Sequence, residues 1–336
     1  MDFMLLDPNP GAPSPFHAAE LAVQTRVGVA ARADAGGRRG IRDHLPEPHR
    51  EFFAELPWLL LGGLDGQGQP WATVRWGAPG FVTAPASRTL RVQPDAAPGD
   101  PLLGHLQAGA PLGLLGIAPH TRRRNRVNGV IAAHTQGVLE IAVQQSFGNC
   151  AKYIQSRTAR RIEAGTRRAG AEVAEVTRAP HLGPAERALL ARSDTFFIAS
   201  AHMDSAVPGA RGADMSHRGG PPGFIRVNDE RTLTVPDFAG NAFFNTLGNL
   251  SHDPRAGLLF IDFENGDLLH VAAHAEIIWD GPEVARVVGA QRLVRFHVRE
   301  VRRRAGALPF SWSAAQLAPQ FAAQAAAAAA PSLDLT

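Results

Sequence analysis

The chain of 336 residues has a single cysteine, a single lysine and a single tyrosine, and it lacks any long apolar run. With one cysteine no internal disulfide can form, which suits a reducing compartment. The longest unbroken apolar stretches, residues 58–61 and 113–118, are far short of the ~20 residues that a membrane-spanning helix needs. The N-terminus lacks the basic-then-apolar order of a signal peptide. A soluble, cytoplasmic protein without a membrane partner is the expectation. Charge of one sign is also scarce. The formal net charge is +3, and the pI of 9.9 reflects the near absence of groups that buffer between histidine and arginine. Arginines cluster at 122–124, 160–161, 167–168 and 302–304 without the interleaved aromatics of a single-strand binder. They read as solvated faces and linker, and no nucleic-acid partner is expected. The one cysteine and the 13 histidines make no Cys/His ligand set, and no metal is expected.

What is present begins with the place of the three singletons, which all fall in Cys150-Ala151-Lys152-Tyr153. The abundance of Ala, Arg, Gly and Pro points to a coding bias that turns Lys into Arg wherever the site tolerates it. A retained Lys then suggests a position that needs an ammonium rather than a guanidinium. An accident of biased composition is the other reading. At 45% hydrophobic and 19% charged residues, the chain can bury two cores of about 100–150 residues each, which excludes a disordered or fibrous protein.

Residues 1–47 are rich in Pro, Gly and Ala and read as an arm with one short helix at 16–27. From residue 48 the pattern changes to short apolar runs between turns. The alternation in Trp71-Ala72-Thr73-Val74-Arg75-Trp76 predicts a half-buried strand. Asp100-Pro101 opens a predicted short helix carrying Leu102, Leu103 and Leu106 on one face. The second half repeats this order. Pro222-Gly223-Phe224-Ile225 followed by Arg231-Thr232-Leu233 matches Pro79-Gly80-Phe81-Val82 followed by Arg88-Thr89-Leu90. Pro254-Arg255-Ala256-Gly257-Leu258-Leu259 echoes Pro111-Leu112-Gly113-Leu114-Leu115. Asn265-Gly266 between two apolar runs predicts a type I′ hairpin. The fold class is mainly β with short helices, as two tandem β-barrels, and no G-x-G-x-x-G follows a strand. The units run 48–157 and 184–304, joined by an Arg/Ala-rich linker at 158–183 and followed by a tail at 305–336 whose poly-Ala run, 325–330, is expected to be mobile.

Three segments hold residues that can carry chemistry. In the first, Ser216, His217, Arg218, Gly219 and Gly220 offer a hydroxyl, an imidazole, a guanidinium fork and approachable backbone N–H groups, which suits a phosphate; a polar hairpin loop is the plainer reading. In the second, Pro236, Asp237 and Asn241 lead into a predicted helix carrying Asn245 and Asn249. A helix start favours an anion, while Asp237 and Asn241 also serve as caps. The third holds Ser146, Asn149, Cys150, Lys152 and Tyr153. Cys150 has no His/Asp partner by spacing and reads as structural, and Lys152 can offset negative charge on a ring or phosphate.

The order of elements, together with Ser216-His217-Arg218-Gly219-Gly220, Pro236-Asp237-Phe238-Ala239-Gly240-Asn241 and Asn245-Thr246-Leu247-Gly248-Asn249-Leu250, resembles the FMN-binding split-barrel proteins related to pyridoxamine 5′-phosphate oxidase. Arg124-x-Arg126-x-Asn128-Gly129 and Asn149-Cys150-x-Lys152-Tyr153-Ile154 resemble first-barrel motifs of a bacterial group with two such barrels in tandem. The resemblance spans residues 48–304. It implies two split barrels packed as a pseudo-dimer, FMN at their interface, and one cofactor per chain or per pseudo-symmetric pair. Ser216, His217, Arg218, Gly219 and Gly220 would serve the phosphate, and Pro236, Asp237, Asn241 and Asn245 the ribityl chain or ring edge. Ser146, Asn149 and Cys150 would cover the cofactor, with Lys152 and Tyr153 on the ring or substrate side as the catalytic pair. An FMN-dependent oxidoreductase acting on a small-molecule substrate by hydride transfer at N5 is implied, with a separate reductase and a homodimer as further partners. A non-catalytic flavin- or haem-binding module is the alternative. Two departures argue against pyridoxamine phosphate oxidation itself: Ala151 stands where the family pattern has Pro, and residues 302–336 hold no match to the oxidase's substrate-phosphate residues.

Overall fold

The computed structural model describes residues 14–95, 97–162 and 176–321. The poly-Ala run and the middle of the 158–183 segment lie outside them. Short β-branched, leucine-rich and aromatic runs between turns form seven strands in the first half: β1 (Trp58–Leu64), β2 (Pro70–Trp76), β3 (Val82–Ala86), β4 (Thr89–Val92), β5 (Pro111–Ala118), β6 (Arg123–Thr135) and β7 (Val138–Asn149). β8 (Ala159–Arg161) and β9 (Val176–Ala179) follow. The second half supplies β10 (Thr195–His202), β11 (Gly212–Gly219), β12 (Arg226–Asp229), β13 (Thr232–Phe238), β14 (Arg255–Ile261), β15 (Leu268–Ile278), β16 (Ala290–Arg304) and β17 (Phe310–Trp312). The two large sheets are antiparallel and run in the same order, β2-β1-β5-β6-β7-β4-β3 and β11-β10-β14-β15-β16-β13-β12. The repeat read in the sequence is therefore a repeat of topology, strand for strand.

Each sheet wraps its own core, one around Leu59, Trp71, Leu114 and Ile141, the other around Phe196, Leu258, Phe260 and Phe296. A third cluster joins them: Trp58, Leu60 and Val74 pack against Phe197, Ala199, Met215 and Leu259. Burying an aliphatic or aromatic side chain of this size contributes ~1.5–3 kcal/mol, so this seam holds the barrels together as one body. It also corrects the reading of residues 71–76. Every residue of β2 is buried, because the face expected to meet solvent meets the second barrel instead. Backbone contact across the seam needs glycine at equivalent places. A Cβ on Gly113 would lie 2.7 Å from the Ala213 carbonyl oxygen, and one on Gly257 would lie 2.3 Å from that of Pro70.

Three local expectations change. Residues 99–106 form successive turns rather than a helix, with Gly104 at φ 86° and Leu103 left 64% exposed. The β14–β15 hairpin exists, but only Gly266 adopts positive φ. The Asp262 carboxylate accepts the Glu264 and Asn265 N–H groups, giving a longer turn than type I′. The arm holds two helices, α1 (Ala18–Arg26) and α2 (Ala30–Gly40). The glycines of α2 hid it, and it is secured by packing, with Phe16 seated against Gly37. Further helices are α3 (Glu47–Glu55), α4 (Pro184–Arg192) and α5 (Asn245–His252). Outside the two barrels, β8 pairs with β17 and β9 extends the second sheet along β16. No helix of the described residues is long and apolar enough to cross a membrane.

Candidate functional site

A cleft opens where the first barrel's β6–β7 end meets β11, β13 and the start of α5. Ser216, His217, Arg218 and Gly219 sit on β11, a strand rather than a loop, because they pair with residues 195–198 of β10. Alternation then points Ser216 and Arg218 to one side of the strand and His217 to the other, and all three still line the cleft at its end. Pro236, Asp237, Asn241, Asn245, Asn149, Cys150 and Tyr153 line it as well.

Three predicted residues are not brought to it. Ser146 is fully buried, with its hydroxyl donating to the His44 carbonyl at 2.5 Å. Gly220 has both backbone groups engaged, its N–H with Asp194 at 3.0 Å and its carbonyl with Gln155 Nε2 at 2.9 Å. Lys152 is exposed and does not line the cleft.

Two cationic side chains come from the opposite barrel. Arg124 Nη1 donates to His217 Nδ1 at 2.9 Å, and its Nε to the Cys150 carbonyl at 3.0 Å. Arg126 donates to Ser216 Oγ and to Asp214 Oδ1. Asp214 also accepts from Asn128 and, at 3.1 Å, from Asn249 Nδ2. This differs from the solvated face expected for the 122–124 arginines. The period-two spacing of Arg124, Arg126 and Asn128 is the signal that groups them, since residues two apart share a strand face. Thr246, which donates to Ser216 Oγ at 2.9 Å, and the arm residue Glu20 were also missed.

Burial and the neighbouring Arg124 push the His217 imidazole well below its ordinary value, so it is neutral. With Nδ1 accepting from Arg124, the proton sits on Nε2, leaving one N–H donor. Burial pushes Arg124 down to about 10, still a cation at neutral pH. Arg218 has no hydrogen-bonded carboxylate: its ion-pair partner Asp237 is 3.9 Å away and is shared with Arg292 at 3.4 Å. Burial raises the Asp237 carboxyl, against the pull of both arginines. Arg126 Nε, Arg292 Nε and Asn149 Oδ1 are buried without a hydrogen-bond partner. The cleft thus carries more cation than anion and more donors than it uses, a combination that calls for an anionic ligand.

The backbone is shaped for the same place. Tyr153, Ala242 and Phe244 have φ of 68°, 65° and 60°, unusual for side-chain-bearing residues and concentrated on the cleft wall. Asn241 Oδ1 accepts the Phe243 N–H at 3.1 Å, and α5 starts three residues later than a cap at Asn241 would place it, with Phe244 at the cap position. A Cβ on Gly219 would stand 2.0 Å from the Tyr153 carbonyl, so glycine is what lets the 150–155 segment cross the end of β11. The Tyr153 ring packs on Phe238 and Phe321 and its hydroxyl donates to the Ala239 carbonyl at 2.9 Å. The donor set, the unpartnered polar atoms and this aromatic wall fit a phosphate joined to a planar ring, and so they fit FMN.

A pair of β-barrels with an arginine-lined cleft between them defines the class. Residues 182–311 match the pyridoxamine 5′-phosphate oxidase family model, and the second barrel is a split barrel of that pyridoxamine 5′-phosphate oxidase-like kind, repeated in topology by the first. No curated protein matches the chain. Among solved structures it is similar to a Lactobacillus delbrueckii protein assigned as a pyridoxamine 5′-phosphate oxidase, at 19% identity over 37% of this chain and 94% of that one, with a TM-score of 0.28. It is also similar to an FAD-binding protein from Mesorhizobium loti, at 12% identity over 39% and 97%, TM-score 0.26. A third is an FMN-binding protein from Syntrophomonas wolfei, at 11% identity over 34% and 86%, TM-score 0.24.

Proposed function

We propose that the protein is an FMN-dependent oxidoreductase that holds one flavin in the cleft between its barrels and acts on a small molecule. The observation that carries this reading is the convergence of Ser216, His217 and Arg218 from one barrel with Arg124 from the other on a cleft whose carboxylate, Asp237, is 3.9 Å from Arg218 and shared with Arg292.

Arg218 and Arg124 supply the cationic pair for a phosphate. The His217 Nε2–H and the Ser216 hydroxyl add directed hydrogen bonds. Tyr153, Phe238 and Phe244 offer flat apolar surface for a ring, and the unpartnered Asn149 Oδ1 accepts an N–H from it. Bound there, FMN supplies hydride chemistry at its N5. The chain's part is to position the ring, keep water from one face and present donors where negative charge develops. Lys152 is exposed beside Tyr153 and does not line the cleft. Tyr153 is therefore the stronger candidate of the pair for contact with substrate.

The test is to purify the protein, record its visible spectrum and identify what denaturation releases. Yellow protein that releases FMN in stoichiometric amount is expected. A colourless preparation that takes up no FMN on incubation, or one with a Soret band, overturns the reading.

A further inference from the structure

The pairing registers allow each cleft residue to be mapped onto the first barrel. Leu61 pairs with Leu114 and Thr73, as Ile198 pairs with Leu258 and Ser216. Thr73 is therefore the counterpart of Ser216, Arg75 of Arg218 and Trp76 of Gly219. The next pair confirms the register: a Cβ on Gly77 would strike Phe81, and one on Gly220 would strike Phe224. Through the neighbouring strands, His270 corresponds to Arg126 and Arg304 to Asn149.

The first barrel thus keeps a hydroxyl, an arginine on the same strand and two basic residues lent by its partner. It differs in what reaches them. In the second barrel the side chain of its own fold that meets the strand hydroxyl, besides Arg126 of the opposite barrel, is the neutral Thr246. In the first it is Asp100, whose Oδ2 accepts from both Thr73 and Arg75 and lies 3.7 Å from Arg304 Nη1. Its Oδ1 accepts the Leu102 N–H at 2.9 Å. The Asp100 and Arg304 side chains are fully or almost fully buried.

We infer that Asp100 is a self-supplied anion that fills the first barrel's counterpart of the phosphate site, so that the chain takes one phosphate-bearing ligand and its first barrel serves as a wall for the other's cleft. The part concerning the second cleft rests on the proposed function; the anion site around Asp100 does not. A second observation marks the place as built for an anion. Arg304, 1% exposed, has Nε and Nη1 without hydrogen-bond partners. His270 donates Nδ1–H to the Ala72 carbonyl at 2.9 Å and has its Nε2 unpartnered. Two guanidinium groups therefore face one carboxylate. Trp76, buried in one cluster with Ala97, Ala307, Leu308 and Phe310, stands where Gly219 in the second barrel gives way to the crossing Tyr153 backbone. The site emptied by removing Asp100 admits a small carboxylate such as formate or acetate, and excludes a nucleotide.

The experiment compares thermal melting of the wild type, Asp100→Ala and Asp100→Asn in formate or acetate against chloride at equal ionic strength. Each is repeated with Arg218→Ala added. Asp100→Ala and Asp100→Asn are expected to melt lower than wild type in chloride. Formate should raise Asp100→Ala by several degrees more than wild type, and Arg218→Ala should leave that gain intact. If Asp100→Ala is insoluble, recovery on refolding in formate but not chloride is the expected result, and failure in both overturns the inference. Equal gains for wild type and variants, or a gain abolished by Arg218→Ala, also overturn it. The first outcome denies an anion site at Asp100, and the second places the anion in the other cleft. An Asp100→Asn protein as stable as wild type in chloride overturns it too, since the carboxylate would then not be filling a cationic site.

Discussion

The two ends of the pseudo-dimer contain the same strands, the same turn glycines and nearly the same strand chemistry, yet one is an open cleft and the other is sealed. Around Arg218 the nearest carboxylate stands 3.9 Å off and is shared with Arg292. Around Arg75 an equivalent space contains Asp100, close enough to bond Arg75 and Thr73 together. Burial pushes the Asp100 carboxyl up, but the Arg75 charge and hydrogen bond, with His270 and Thr73, together hold it below its usual range. Glycine at 219 leaves room for a ligand and for the crossing Tyr153 backbone, whereas tryptophan at 76 fills the corresponding room. A duplicated barrel can therefore turn one of two binding sites into structure by changing very few positions. What matters is whether the counter-charge to a buried arginine comes from the chain or from a ligand.

The comparison can be broken at either end, and the largest effect is expected at the sealed one. Arg75→Ala leaves Asp100 buried with a poorly placed partner, a loss of ~3–5 kcal/mol, read as a shift in denaturant midpoint, with FMN stoichiometry unchanged. Arg218→Ala should do the reverse. It should leave stability close to wild type and weaken FMN by ~1.5–3 kcal/mol, roughly ten- to 150-fold in Kd by equilibrium titration.

A third test concerns the arm, whose first helix reaches the open end through Glu20. Glu20 accepts from Asn245 Nδ2 at 2.5 Å and from the His17 backbone N–H at 2.8 Å. Burial first, and the Asp214 charge second, push its carboxyl up from 4.5 to about 8. The unfolded chain gives up this proton at lower pH than the folded one. The stability it contributes is therefore complete below about pH 4.5 and is lost as pH rises through about 8. His17, pushed down by burial to about 4, acts in the opposite sense between about 4 and 6.5 and is silent above that. From pH 6.5 to 8 melting temperature should fall by the equivalent of ~1–2 kcal/mol, and Glu20→Gln should flatten that fall. An unchanged slope in the variant would assign the titration elsewhere. The smallest expected effect is Tyr153→Phe, which removes the hydrogen bond to Ala239 for about 1 kcal/mol and leaves FMN affinity within a few-fold of wild type.

Much of the fold was legible because the repeat carries paired signals, such as Pro-Gly-Phe before a strand and Gly-Leu-Leu separated from a preceding proline by one or two residues at its successor, that survive in both halves. The strand positions followed from alternation and turn residues. The burial of β2 on both faces did not, since it depends on where a second sheet lies rather than on any local period. Residues 99–106 misled for a similar reason. Asp100 does accept the Leu102 N–H, as a helix cap would, but Gly104 turns the chain away and the second carboxylate oxygen is committed to Arg75.

At the site, β11 and the 236–245 segment were recognised from residue types. The cationic contribution of Arg124 and Arg126 was hidden among the chain's many arginines. The three singletons prove to be divided. Cys150 and Tyr153 line the cleft, while Lys152, one residue away, faces solvent. Proximity in sequence placed all three together, and the positive φ at Tyr153 separates them by turning the chain between neighbours.

The most direct test of the account is a titration of FMN into apo protein, run in parallel on wild type, Arg218→Ala and Arg75→Ala and fitted for stoichiometry and Kd. One FMN per chain is predicted for wild type and Arg75→Ala with similar affinity, and at least tenfold weaker binding for Arg218→Ala. Two FMN per chain, or an affinity that Arg75→Ala lowers and Arg218→Ala does not, would contradict it.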